Sequence, residues 1–125
     1  MKLARLTDAR FHQALRKLMS QPLPLRVAFK LKGVGIKVDG ELRKFEECRQ
    51  AALEKYGKRD ENKKLITKED GSIDFEPENL NVFAAQLNDL GQLDIELGSV
   101  KIDELGDNVQ LTVDELSLLD GLIVE

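Results

Sequence analysis

The chemistry open to this chain is limited first by how few of the relevant side chains it carries. His12 is the only histidine and Cys48 the only cysteine. A zinc site of the usual Cys/His kind and a compact Cys–His dyad therefore both lack parts. His12 stands beside Phe11 in a helical pattern and reads as a partly buried or surface imidazole. Cys48 falls on an apolar seam, where a free thiol packs as a small hydrophobe. The acidic run Asp70-Gly71-Ser72-Ile73-Asp74-Phe75-Glu76 invites comparison with a calcium loop. With Gly71 at the sixth position, however, the first, third and twelfth positions are Ile66, Lys68 and Pro77, so three oxygen ligands are missing. Gly33-Val34-Gly35 has two glycines at nucleotide-fold spacing but no third, and no Gly-Lys-Ser/Thr ending follows. The remaining carboxylates are spread over several predicted elements and form no acid/base pair. No catalytic, metal-binding or cofactor-binding residue is assigned, and the chain reads as a non-enzyme.

Composition sets the next bounds. At 125 residues, 42% hydrophobic and 34% charged, the chain can bury one core and has no room for a second, so residues 1–125 form one domain. Five Phe, one Tyr and no Trp leave Leu, Ile and Val to fill that core and give few platforms for stacking bases. A lone cysteine forms no internal disulfide, which fits a cytoplasmic setting. Residues 1–16 interleave charges with apolar side chains, so neither a secretory signal nor a membrane span is expected. The charge is divided along the chain. Residues 1–58 hold 14 Lys or Arg against 6 Asp or Glu, a net +8, and residues 59–125 hold 5 against 17, a net −12. Such asymmetry favours electrostatic pairing, within the fold or with a partner.

The elements that must position these residues follow from period and punctuation. Thr7 or Asp8 caps a first helix with Phe11, Leu15 and Leu18 on one side, and Pro22 and Pro24 end it. From residue 24 to residue 56, apolar side chains at 27, 31, 34, 38, 45, 48 and 52 step by four and three, interrupted at Glu41, and predict one long helix stopped at Gly57. Gly33, Gly35 and Gly40 oppose it, and residues 27–38 also alternate like a β-hairpin; the continuing seam favours the helix, with the glycines admitting the first helix closely. Residues 58–64 contain no apolar side chain and read as a mobile loop. Leu65-Ile66-Thr67 and Ser72-Ile73-Asp74-Phe75 predict a short hairpin around Gly71. Pro77 opens a third helix with Leu80, Phe83, Leu87 and Leu90 on its stripe and Gly91 at its end. Leu93, Ile95 and Leu97, then Val100 and Ile102 beyond Gly98-Ser99, predict a second hairpin. Thr112 and Glu115 have capping-box spacing ahead of a final helix carrying Leu116, Leu119, Leu122 and Ile123. The expected class is α+β: an N-terminal antiparallel helical hairpin with one long helix (the basic segment 1–57), then a small antiparallel sheet of two short hairpins with two short helices (the acidic segment 65–125).

The order of several segments is similar to an uncharacterised family of small proteins encoded by tailed bacteriophages and prophages. The resemblance is carried by Leu23-Pro24-Leu25-Arg26-Val27-Ala28-Phe29-Lys30-Leu31, by Phe45-Glu46-Glu47-Cys48-Arg49, and by Leu53-Glu54-Lys55-Tyr56-Gly57-Lys58-Arg59-Asp60-Glu61. A Phe/Leu helix, a short acidic strand pair and Leu111-Thr112-Val113-Asp114-Glu115-Leu116 then follow in the same order. The resemblance implies a virion component or assembly factor, found in the host cytoplasm or the virion, that binds virion proteins or itself. The residues expected to meet such a partner are Arg26, Lys30 and Lys37 on the basic hairpin and Leu116, Leu119 and Ile123 on the final helix. Two further readings stand beside it. The acidic half could occlude a host protein by imitating a phosphate backbone. The basic hairpin could bind nucleic acid, although pI 5.1 and the lack of a recognisable module weigh against that.

Overall fold

The computed structural model describes residues 1–125. A short helix α1 (Leu3–Leu6) leads into α2 (Ala9–Met19), whose first turn is capped by Asp8: its Oδ1 accepts the Arg10 backbone N–H at 2.9 Å. Residues 20–24 turn the chain into α3 (Leu25–Tyr56), a single helix of 32 residues about 48 Å long. The chain direction of α1 and α2 opposes that of α3, since Leu3 lies level with Phe45 and Cys48, whereas Met19 lies beside Gly35. Residues 27–38 are therefore helix, and the glycines do not interrupt it. Nor do they admit α2 closely: a Cβ at Gly33 or Gly40 would meet nothing within 4 Å, and one at Gly35 would lie in ordinary contact with Met19.

Pro77 occupies the first turn of α4 (Pro77–Gly91), and the helix ends where Gly91 packs on α1; a Cβ there would lie 3.2 Å from the Ala4 Cβ. A strand β1 (Val100–Lys101), a 3-10 turn (Ile102–Leu105), α5 (Val113–Leu118) and a strand β2 (Ile123–Val124) complete the chain. The capping box of α5 is formed, with Thr112 Oγ1 accepting the Glu115 N–H and Glu115 accepting the Thr112 N–H.

The expected antiparallel sheet of two hairpins is not present. Helix accounts for 58% of the residues, and the only sheet is β1 beside β2, running parallel with Val100 opposite Ile123. The physical reason lies in where the strand-like segments find partners. Residues 93–95 pair with the chain's first residues: Leu3 N–H donates to Leu93 C=O at 2.8 Å and Ile95 N–H to Met1 C=O at 2.7 Å. Gly98 does turn the chain with φ 86°, but Val100 then donates to Leu122 C=O rather than back to its neighbour. Around Gly71 there is one isolated bridge, Thr67 to Ile73. The final helix stops at Leu118, and Gly121 (φ 91°) swings Leu122 and Ile123 into the extended segment.

One core joins these elements. Leu6, Phe11, Leu18, Leu31, Leu119 and Leu122 are fully buried in it, together with Val27, Val34 and Val38 of α3. At the far end of α3 Leu53 is buried, Leu65 and Ile73 pack against Gly57, and Phe75 stacks on Phe83 at 5.0 Å. Residues 58–64 form a hydrogen-bonded turn instead of an open loop: Asp60 Oδ1 accepts from the N–H groups of Asn62 and Lys64, and the Arg59 guanidinium donates to the carbonyls of Glu54 and Lys63.

Candidate protein-docking face

Of the side chains that could do chemistry, His12 and Asp70 are held by local contacts and Cys48 stands in solvent. The His12 imidazole lies within hydrogen-bonding distance of the Leu6 carbonyl and packs edge-on to Phe11 at 5.6 Å. Cys48 is exposed, not packed, because the core ends near Val38 and only Phe45 and Ala52 of the later seam are half-buried. Asp70 accepts the Ser72 N–H at 3.0 Å and its hydroxyl at 2.6 Å, an Asx turn that holds its carboxyl below the usual range. No three His, Cys, Asp or Glu side chains gather as metal ligands would. A cleft of about 760 Å³ between α2 and α5 is lined by two ion pairs, Asp8 with Arg10 and Lys17 with Glu115 at 2.7 Å, together with Arg5 and Asp114. Hydrogen bonds from Arg10 and Lys17 lower the pKa of Asp8 and Glu115, the ordinary direction for ion-paired carboxylates.

The two oppositely charged segments meet in the fold. Lys2 pairs with Asp94 at 3.4 Å, Lys17 with Glu115, Lys30 with Glu104 at 3.2 Å and Lys58 with Glu76 at 3.5 Å. Each pair is partly solvated, so screening by water leaves it a small contributor to stability. These contacts use Lys30, one of the expected partner-binding cations. They leave Arg26 and Lys37 exposed and without an ion pair, along with Lys32 and Arg43. Of the expected apolar contact residues, Leu119 and Ile123 are in the core and Leu116 is half-buried against it, so the α5 end offers no open apolar stripe.

The open stripe is elsewhere, on α3. Its inner side carries the buried Val27, Leu31, Val34 and Val38. On the opposite side Leu25, Phe29 and Ile36 are 86%, 79% and 67% exposed. At 100° per residue these three fall within an arc of about 40°, directly opposite the buried seam. Gly33 and Gly40 lie about 40–60° to one side of this row, between it and Arg26 and Lys37, where the absence of side chains leaves two hollows. Arg26, Lys37 and Lys44 border one flank and Lys32 and Asp39 the other, while Arg43 continues the row itself. Asp39 is the only acid on α3 before Glu41.

The sequence contains the signal for this face, but its dominant pattern hides it. The steps 25, 29, 36 run beside the steps 27, 31, 34, 38, and only the second set continues into the later seam. Scans against protein-family models, curated proteins and solved structures find no match to this chain.

Proposed function

We propose that the chain is a non-enzymatic binding protein that docks another protein on the outer face of α3, and that it serves phage particle assembly or structure. The single observation that carries the binding reading is the row Leu25, Phe29 and Ile36, which stays in solvent on a helix whose other side is a fully packed core. Three large apolar side chains in one line are uncommon on a surface with no task, whereas scattered ones are normal. The similarity in segment order to phage-encoded proteins supports the biological setting. Charge mimicry by the acidic half is less favoured, because Glu76, Asp94, Glu104 and Glu115 are engaged by the chain's own lysines.

The test combines light scattering of the full chain with co-purification on particles and capture by capsid and tail proteins. Association that is lost in Phe29→Glu supports the reading. A chain that is strictly monomeric, absent from particles and captured by none of these proteins refutes it.

A further inference from the structure

Resting on the reading that α3's outer face binds a protein, we infer that its occupant is an acidic amphipathic helix, with large apolar residues seven apart and Glu or Asp along the side that meets Arg26 and Lys37. The charge pattern carries this. Between Leu25 and Gly40 the face has Arg26, Lys30, Lys32 and Lys37 against Asp39, and only Lys30 is neutralised within the fold. Covering Phe29 and Ile36 brings one border of the partner against Arg26 and Lys37, so that border is anionic, while the other border meets Lys32 beside Asp39. The hollows at Gly33 and Gly40 are seven residues apart, about 10.5 Å along the axis, which matches one heptad of a facing helix.

The same pattern disfavours the other occupants. In a symmetric pair of α3 faces, the cations of one copy lie against those of the other, and like charges oppose the contact. A nucleic-acid backbone needs cations at the centre of the contact, where this face has Leu25, Phe29 and Ile36. A lipid surface favours a broad apolar face, and this one is a single row wide.

The experiment uses the full chain and two labelled synthetic peptides of about three heptads. They share the same Leu positions but carry flanking Glu in one and flanking Lys in the other, and binding is read by fluorescence anisotropy. The Glu peptide is expected to bind at least about tenfold more tightly than the Lys peptide, with affinity falling as salt rises from about 0.05 to 0.3 M. Lys32→Glu with Lys37→Glu should reverse the preference, and Phe29→Glu should abolish binding of both peptides. Circular dichroism checks that each variant is folded. Equal or tighter binding of the Lys peptide overturns the inference. So does stronger binding to phosphatidylserine vesicles or to a DNA duplex, or Phe29-dependent self-association with no affinity for the Glu peptide. If the Glu peptide fails while Phe29→Glu still abolishes capture by virion proteins, the partner's chemistry is wrong and the docking face stands. If Phe29→Glu changes neither, both fall.

Discussion

Replacing Gly33 and Gly40 together by alanine separates what α3 needs for folding from what it needs for docking. Both glycines lie inside a 32-residue helix, and a Cβ at either meets nothing within 4 Å. Each substitution therefore gains the helix propensity of alanine and removes disorder from the unfolded chain, about 0.8–1 kcal/mol apiece. The sites are about 10.5 Å apart and share no contact, so the gains add to about 1.5–2 kcal/mol. For a domain of this length that raises the melting temperature by about 5–10 °C. Urea denaturation should show a higher midpoint and an unchanged slope. The added methyl groups also fill the two hollows of the outer face, so affinity for the acidic peptide should fall while stability rises. A double variant less stable than the parent refutes the exposure of these glycines. A more stable variant with undiminished affinity refutes their role in docking.

Other consequences follow from the same contacts. Gly57→Ala places a Cβ 2.6 Å from Leu65 Cδ2 and 2.7 Å from the Leu53 carbonyl, and backbone cannot yield as a side-chain end can. It should cost about 1–3 kcal/mol in urea denaturation. Leu122→Ala empties a fully buried position and should cost about 2–5 kcal/mol, whereas Phe29→Glu should stay within about 0.5 kcal/mol of the parent. The carboxyls of Glu104 and Glu115 lie below their ordinary 4.5 because Lys30 and Lys17 donate to them, and Arg49 holds Glu46 down to about 2. A carboxyl lowered in the folded state stabilises fully above its unfolded pKa and loses that effect as pH falls through the folded value. The urea midpoint should accordingly decline below about pH 4.5, and Glu104→Gln with Glu115→Gln should decline less steeply.

The helices were legible because their signals are local. Asp8 before α2, Pro77 at the start of α4 and the Thr112–Glu115 box each act within one turn. The seam from Val27 to Val38 specifies α3 despite three glycines, since the packing of four buried side chains outweighs their propensity. The strands were not legible in this way. Alternation in residues 93–102 shows that one side is covered, yet it does not name the partner, and the partners are residues 1–3 and 122–124. Leu122 and Ile123 continue the helical spacing of Leu116 and Leu119 by coincidence, because both serve the core after Gly121 has turned the chain. The exposed row of the proposed docking face was not legible. Arg26 and Lys37 border it, but Leu25, Phe29 and Ile36 emerge only once the buried side of α3 is known.

The most direct test is site-specific photo-crosslinking in cells that produce the chain, with a benzoylphenylalanine placed at position 29, at position 36 and, for contrast, at the exposed position 84 of α4. The account predicts one adduct of defined mass at 29 and 36, absent at 84, in which the crosslinked partner segment is helical and rich in Glu or Asp. No adduct at 29 and 36, or the same adducts at all three positions, contradicts it.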